Sequence, residues 1–202
     1  MARYTGPRSK KSRRYGVPLF GNSKALERKN YPPGIHGDKG RKKQSDYAIA
    51  LGEKQKLRLM YGLLEKQFRR YFETALTKRG VTGEILLQLL ETRLDNVAFR
   101  LGFANSRRAS RQMVLHGHVR VNGRKVSIPS FGTKPGDVVE VKNTPVSRQM
   151  ASRGLEANAI APVPEWLLLD KENFKGEVKR IPTKEEIAPV VNEQLIVELY
   201  SR

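Results

Sequence analysis

Positive charge is the feature that most constrains what this chain can fold into. Its 202 residues hold 39 Lys and Arg against 20 Asp and Glu, which gives a net charge of +19 at pH 7. Repulsion on this scale destabilises a compact chain that has no counter-charge. The apolar fraction of 38% also lies below the roughly 45–50% of ordinary globular proteins. We therefore expect a polyanion as partner, against which part of the chain becomes ordered.

The charge is spread unevenly along the chain. Residues 1–44 hold 13 basic and 2 acidic residues, residues 45–155 hold 20 and 9, and residues 156–202 hold 6 and 9. The three segments thus carry +11, +11 and −3. This distribution predicts that the first two segments form the polyanion-binding surface, and that the acidic end packs within the protein or contacts another protein.

Several classes of site lack the residues they need. Cys is absent, which excludes disulfides, thiolate zinc sites and a cysteine nucleophile. No apolar run approaches the roughly 18 residues that cross a bilayer, and the N-terminus has no apolar signal-peptide core. The glycine-rich phosphate loops and the G-x-S-x-G elbow are also missing. We expect an intracellular soluble protein with no cofactor, no metal and no membrane contact.

Residues 1–44 mix basic clusters with Gly, Pro and isolated aromatic residues such as Tyr4, Tyr15, Phe20 and Tyr31. We find no helical or strand period in this segment. One interpretation is a disordered, solvated tail. The interleaved rings favour the other, an extended basic arm that folds onto RNA with its charges on phosphates and its rings on bases.

A helical pattern of apolar residues begins after Ser45. Apolar residues recur at steps of three and four, which predicts one apolar helix face; its members are Leu57, Met60, Tyr61, Leu64, Phe68, Tyr71, Phe72 and Leu76. The opposite positions include Arg58, Lys66, Arg69 and Arg70, which are either solvated or RNA-facing. Spacing alone does not separate these alternatives, and the net charge favours RNA. After Gly80, Thr82 starts a short apolar helix.

Two further short helices and a hairpin are predicted next. An apolar stripe from Leu94 to Leu101 ends at Gly102, and Asn105 or Ser106 caps a helix that turns Met113 and Val114 inward. In the stretch HGHVRVNGRKVSIPS, residues 116–130, apolar and polar residues alternate, and Asn122-Gly123 is the favoured pair for a type I′ turn. We assign the alternating apolar residues to the core: Val119, Val121, Val126 and Ile128.

The remaining elements are weaker signals. Val138–Val141 predicts a third strand after a Lys-Pro-Gly-Asp turn. Residues 143–164 suit a connector that is partly helical near 146–155, and WLLLD and GEVKRIP suit two more strands. NEQLIVELYSR forms an amphipathic helix or, around residues 196–199, a strand.

Asp95 is the strongest candidate for catalysis, because Arg93-Leu94-Asp95 resembles the aspartate motif of pseudouridine synthases. Thr92 and Asp95 also have the S/T-x-x-D/E spacing of a capping box, in which each side chain accepts from the other residue's backbone N–H. We favour the cap, because the residues after Asp95 continue a helical stripe.

His116 and His118 would lie on one side of a regular strand, where two imidazoles can bind one ion. No third ligand is near in the sequence, and Arg120 on the same face would repel a cation. We predict no metal site here.

Basic residues of one helix and of the following hairpin are predicted to form a common surface. Arg107 and Arg111 share one helix face, which leads into the hairpin cations. Arginine binds phosphates bidentately and stacks on bases, although a merely solvated face is the alternative. The predicted RNA contacts are Arg3, Arg8, Lys10, Lys11, Arg13, Arg14, Lys54, Arg58, Lys66, Arg69, Arg70, Arg107, Arg108, Arg111, Gln112, His116, Arg120, Asn122, Arg124 and Lys125.

Residues 91–131, ETRLDNVAFRLGFANSRRASRQMVLHGHVRVNGRKVSIPSF, resemble a small RNA-binding module. It was first defined in bacterial ribosomal small-subunit protein four and also occurs in some pseudouridine synthases, tyrosyl-tRNA synthetases and a heat-shock RNA-binding protein. MARYTGPRSKKSRR, EKQKLRLMYGLLEKQFRRYF and NEQLIVELYSR extend the resemblance over essentially the whole chain to the family of ribosomal small-subunit protein four itself. The phrases KQKLR, HGH and KPGD look closest to cyanobacterial-type and plastid members.

The resemblance implies an α+β fold, with an extended basic arm at 1–44, a helical domain at 45–91 to which 181–202 returns, and the module at 92–180 with its antiparallel sheet and a core at about 92–155. It implies a non-catalytic primary binder of small-subunit rRNA that nucleates assembly of the subunit body.

Further implied partners are small-subunit protein five, whose contact influences decoding accuracy, other small-subunit proteins, and mRNA near where it enters the subunit. The implied compartment is the bacterial cytoplasm or the plastid stroma. Some members bind zinc through four N-terminal cysteines, which this chain lacks, so the resemblance implies an arm ordered by RNA. An RNA-modifying enzyme and a free RNA chaperone are the alternatives.

Overall fold

The computed structural model describes residues 4–21, 23–39, 43–160, 162–187 and 190–201. The chain divides into two compact units, residues 1–83 with 189–202 and residues 84–188. The domain limits inferred from the sequence, 45–91 with 181–202 and 92–180, stay a prediction. Among the described residues, no helix has both the length and the apolar character needed to cross a bilayer.

The described part of the first unit is helical. Its helices are α1 (Arg8–Tyr15), α2 (Lys24–Arg28), α3 (Asp46–Met60), α4 (Glu65–Leu76) and α10 (Glu193–Ser201). The sequence did not predict α1 and α2. The octapeptide RSKKSRRY has no apolar stripe from which a helical period could be read, and α1 ends at Gly16, whose φ of 68° closes the last turn in the left-handed region.

The predicted apolar helix between Leu57 and Leu76 is two helices. α3 stops because Gly62 takes a φ of +67°, and two backbone bonds close its end, Gly62 N–H to Leu59 O at 3.1 Å and Leu63 N–H to Arg58 O at 3.0 Å. This pair of bonds is a Schellman motif, which glycine favours because it has no Cβ. Because the apolar residues keep their three- and four-residue spacing across Gly62, the sequence pattern did not indicate the break.

The C-terminal segment forms a helix, α10, and the strand alternative is wrong. Its Tyr200 ring stacks on Phe72, with 4.6 Å between centroids, and its hydroxyl donates to Glu65 Oε1 at 2.8 Å. At the other end of α10, the Asn192 backbone N–H donates to Glu53 Oε2 at 3.1 Å. Contacts at both ends therefore fasten α10 to α3 and α4.

The second unit combines helices with one sheet. All but the first two residues of α5 (Thr82–Glu91) belong to it, followed by α6 (Leu94–Arg100), α7 (Arg107–Leu115), α8 (Pro145–Ala157) and α9 (Lys184–Ile187). The strands are β1 (Val119–Val121), β2 (Arg124–Lys125), β3 (Val138–Val141), β4 (Leu167–Asp170) and β5 (Lys175–Val178), in the antiparallel order β2-β1-β3-β5-β4. The predicted α+β class and the three later strands are confirmed.

The core of the second unit lies between α6, α7 and one face of this sheet. Burial of each Val or Leu side chain there stabilises the fold by about 1.5–3 kcal/mol. The Leu101 side chain packs directly on the backbone of Gly176 in β5, where a Cβ atom would lie 2.4 Å from Leu101 Cδ2. The fully buried members include Leu94, Val97, Leu101, Met113, Val114, Val119, Val139 and Trp166.

The hairpin forms as predicted, because Asn122 and Gly123 take φ values of 49° and 77°, the positive angles of a type I′ turn. The returning strand is shorter than expected. Val126 packs partly against the core, but Ile128 is 53% exposed, so its assignment to the core is wrong. The chain leaves the sheet there to run toward α6, where Pro129 O accepts from Asp95 N–H at 3.1 Å.

Candidate nucleic-acid interface

Asp95 lies in an ion pair with two arginines. Arg93 donates through Nε to Asp95 Oδ1 at 3.0 Å and through Nη2 to Oδ2 at 2.7 Å, and Arg111 Nη1 donates to Oδ2 at 3.0 Å. The carboxylate is 6% exposed. A buried carboxylate held by two guanidiniums is a structural charge centre, which argues against the catalytic role considered for Asp95.

The capping box predicted for Thr92 and Asp95 is wrong. The Thr92 hydroxyl donates back to Gln88 O at 2.8 Å, and α6 has no side-chain cap. Its first N–H groups donate instead to a distant loop, Leu94 N–H to Phe131 O at 2.8 Å and Asp95 N–H to Pro129 O at 3.1 Å. The cap is supplied by tertiary contact, which a local spacing rule does not detect.

A second buried carboxylate, Glu91, is 1% exposed and collects three polar side chains. Arg100 donates to it through Nε at 3.0 Å and Nη2 at 2.8 Å, and Asn96 Nδ2 donates at 2.5 Å. Arg107 lies beside it with Nη2 at 3.8 Å, and its Nε donates to Asn96 Oδ1 at 2.8 Å. Sequence reasoning did not single out Glu91 or Arg100, since nothing in their spacing shows that they pair.

The predicted RNA contacts on α7 differ in exposure, because some of them face these two carboxylates. Arg111 is 6% exposed and faces Asp95, so its predicted surface position is wrong. Arg107 is partly exposed, donates to Asn96, and places its guanidinium carbon over the Phe99 ring, 4.9 Å from the ring centroid. Gln112 and His116 lie on the exposed side. Arg108 is half-buried.

The hairpin presents Arg124 and Lys125 to solvent. Arg120 pairs in register with both Lys125 and Glu140, so all three project from the sheet face opposite the core. The Asn122 side chain secures the turn, because its Nδ2 donates to Asp137 at 2.9 Å and its Oδ1 accepts from Val138 N–H at 2.8 Å. Asn122 thus has a structural role besides its predicted contact with RNA.

The two histidines do not share a strand face, because His116 caps the end of α7 and β1 starts only at Val119. His118 Nδ1 lies 2.8 Å from Ser147 Oγ. Burial and then the neighbouring charges of His116 and Lys142 lower the pKa of His118. Within the described ranges, no three His, Asp or Glu side chains cluster as a metal site would require.

In the first unit, Glu65 draws two predicted contacts inward. Lys54 is 8% exposed with its Nζ 2.5 Å from Glu65 Oε1, and Arg58 Nε lies 3.7 Å from Oε2. Burial raises the pKa of Glu65, but the hydrogen bonds from Lys54 and Tyr200, together with the charges of Lys54 and Arg58, lower it below the ordinary value. The predicted surface position of Lys54 is therefore wrong.

The other predicted contacts of the first unit differ in their exposure. Arg3 lies outside the described residues. Arg13 donates to three backbone oxygens, Lys29 O at 3.3 Å, Tyr31 O at 3.1 Å and Pro32 O at 3.4 Å, and its guanidinium lies 4.8 Å from the Tyr31 ring centroid. It ties α1 to the chain after α2. Lys11 is half-buried, and the exposed positions are Arg8, Lys10, Arg14, Lys66, Arg69 and Arg70.

Two family models match adjoining parts of the chain. "Ribosomal protein S4/S9 N-terminal domain" matches residues 3–91, and "S4 domain" matches residues 92–139. A protein of Opitutus terrae named "Small ribosomal subunit protein uS4" is 60% identical over 202 residues, which cover 100% of both chains. Proteins of the same name from Akkermansia muciniphila and Persephonella marina are 58% and 54% identical, also over 100% of each chain. The chain belongs to the uS4 family.

Membership of the uS4 family confirms the resemblance inferred from the sequence. The matched S4 domain contains α6, α7, β1, β2 and the start of β3. Within this segment the acidic partners turn Arg93 and Arg111 inward, while the hairpin cations stay exposed. The basic character of this uS4 chain therefore has two structural components, one buried and one at the surface.

Proposed function

We propose that the chain is a structural component of the small ribosomal subunit that binds small-subunit rRNA directly. The full-length identity to proteins named for that subunit carries this proposal. Exposed cations on both units supply the chemistry, since Lys and Arg bind RNA phosphates. The bacterial sources of these relatives favour the bacterial cytoplasm over the plastid stroma.

The proposed contact set keeps those predicted residues that are exposed or half-buried. It omits Lys54 and Arg111, which are turned inward on Glu65 and Asp95, and it treats Arg13 as a residue that positions its neighbours. The contacts proposed from the described residues are Arg8, Lys10, Lys11, Arg14, Arg58, Lys66, Arg69, Arg70, Arg107, Arg108, Gln112, His116, Arg120, Asn122, Arg124 and Lys125.

The proposal extends to the finer roles of a primary rRNA binder. By joining rRNA segments early, the chain would nucleate assembly of the subunit body, and its partners would include small-subunit protein five, other small-subunit proteins and mRNA near its point of entry. The acidic C-terminal segment, at −3 for residues 156–202, suits contact with basic ribosomal proteins better than contact with RNA. Through protein five the chain would contribute to translational accuracy.

Sedimentation tests the central proposal. Tagged chain expressed in a bacterium should co-sediment with small subunits after a high-salt wash, because a structural component is held by many contacts at once. Recovery only in the free fraction would instead support an RNA chaperone. Turnover of a uridine-containing RNA that is lost in Asp95→Asn would support a modifying enzyme.

A further inference from the structure

The described N-terminal segment surrounds a basic cleft. α1, α2 and nearby residues such as Phe20, Gly21 and Pro33 line a volume of about 710 Å³, which is within the roughly 300–1,000 Å³ of typical ligand sites. No acidic side chain of the described chain lines it. Its five exposed cations form no ion pair with any other described residue; they are Arg8, Lys10, Lys24, Arg28 and Lys29. Such a concentration of positive charge attracts an anion from outside the chain.

The rest of the lining adds an aromatic ring and hydroxyl groups. Phe20 lines the cleft and stacks nearly parallel on Tyr4, with 6.0 Å between centroids and 12° between planes. Ser9 and Ser23 line it as well. A ring beside several cations matches the two parts of a nucleotide, because bases stack on aromatic rings and phosphates bind Arg and Lys.

The cleft is held open by the protein itself. Arg13 is part of the lining and donates to the carbonyl oxygens of Lys29, Tyr31 and Pro32, which fixes the far wall relative to α1. Ser12, on the same helix, is buried. A wall that is in place before the ligand arrives lowers the entropy cost of binding.

We propose that this cleft binds one unpaired nucleotide of an RNA strand, with its flanking phosphates on Lys24, Arg28 and Lys29 and its base against Phe20. This inference rests on the proposed function, which supplies RNA as the partner. It adds four residues that the predicted contact set did not contain, and it names the RNA feature that they recognise.

The test compares two double variants of the full chain. Lys24→Ala/Arg28→Ala removes one Lys and one Arg from the cleft, and Lys78→Ala/Arg79→Ala removes one of each from an exposed site elsewhere. Binding to a small-subunit rRNA junction is measured against salt. With about 0.7 counterions released per single-strand contact, the cleft variant should lose about 1.4 from the salt slope, or about 25-fold in affinity at 0.1 M salt. The control should keep the wild-type slope.

Phe20→Leu separates stacking from charge. Loss of a base–ring stack should weaken binding by roughly five- to a hundredfold and leave the salt slope unchanged, because stacking releases no counterions. Equal slopes in the two double variants would overturn the proposal. So would micromolar binding of inorganic pyrophosphate that Lys24→Ala/Arg28→Ala abolishes without affecting RNA, since the cleft would then serve a free phosphate.

Different results would contradict the proposed rRNA binding and the proposed nucleotide cleft. A wild-type chain that binds the rRNA junction no better than a scrambled RNA of equal length would contradict the proposed function. Selective wild-type binding with equal slopes in the two double variants would contradict the cleft alone.

Discussion

The second unit and the N-terminal segment use similar cations in opposite ways. In the second unit, Glu91 and Asp95 lie inside the fold and turn Arg93, Arg100 and Arg111 toward themselves. In the N-terminal segment, the cations around the cleft have no acidic partner among the described residues. The net charge of a segment therefore does not show how many of its cations reach the surface.

Of the changes that test this contrast, removal of Asp95 should have the largest effect on stability. Asp95→Ala leaves Arg93 and Arg111 buried without their anion, which should lower the free energy of unfolding of the second unit by about 3–5 kcal/mol. Trp166 is the single Trp of the chain and is buried in this unit, so its fluorescence in urea reports that unit alone. The control, Glu172→Ala, removes an exposed acid of the same unit and should change stability by less than about 0.5 kcal/mol. A loss below 1 kcal/mol for Asp95→Ala would show that the buried pair is not a structural centre.

Arg111 and Arg124 sharpen the contrast within one unit. Arg111→Ala should cost about 1–3 kcal/mol, less than Asp95→Ala because Arg93 still satisfies the carboxylate, and it should leave the salt slope of RNA binding unchanged. Arg124→Ala should leave stability within about 0.5 kcal/mol and lower the slope by about 0.7–0.9. Urea unfolding and salt titration of both variants check this. If Arg124→Ala lowered stability and Arg111→Ala lowered the salt slope, the assignment of Arg111 to the interior and of Arg124 to the surface would be wrong.

Arg13 tests how the N-terminal segment is held. Arg13→Lys keeps the charge but loses the planar fork that reaches three carbonyl oxygens, so residues 16–32 should open more often, by about 0.5–1.5 kcal/mol. Hydrogen exchange of those amides measures the opening. Arg14→Lys, on the exposed side of the same helix, should exchange as the wild type does; equal exchange in the two variants would mean that Arg13 does not fasten the segment.

An effect as small as that of Arg13→Lys is expected at the C-terminal helix. Tyr200→Phe removes the hydroxyl bound to Glu65 and should cost about 0.5–1.5 kcal/mol. Because the pKa of Glu65 is lowered from its ordinary 4.5, its contribution is present above pH 4.5 and is lost as pH falls through the lowered value. Hydrogen exchange of α10 should therefore show a smaller acid-induced loss of protection in Tyr200→Phe than in the wild type. The exposed Tyr47→Phe serves as control.

Sequence patterns correctly predicted the features that depend on neighbouring residues, namely a turn, several short strands and a helix cap. The Asn122-Gly123 turn and the short strands follow from neighbours in sequence, and Ser106, one of two candidates, caps α7 by accepting from Ala109 N–H at 3.2 Å. Helical spacing also placed Arg107 and Arg111 correctly on one side of α7. It did not show that this side faces Asp95, since the partner lies 16 residues away and a face of arginines looks the same whether solvated or paired.

The remaining errors have one cause. The loop at 129–133 supplies the cap of α6, which made the Thr92–Asp95 spacing irrelevant and drew Ile128 out of the sheet. Glu65 lies eleven residues from Lys54, beyond the break at Gly62, and a continuous helix would have placed them differently. α1 is held by Arg13 and not by an apolar stripe, so no periodicity marked it. Tertiary hydrogen bonds and ion pairs decide each of these positions.

The three hydrogen bonds that the Arg13 guanidinium donates depend on neither a metal ion nor a thiol. Arg stays protonated at every physiological pH, the chain has no thiol to oxidise, and a chelator has nothing to extract from a bond between a side chain and three carbonyl oxygens. Those three bonds would therefore form alike in a cell short of zinc, in one under oxidative stress and in a well-supplied one.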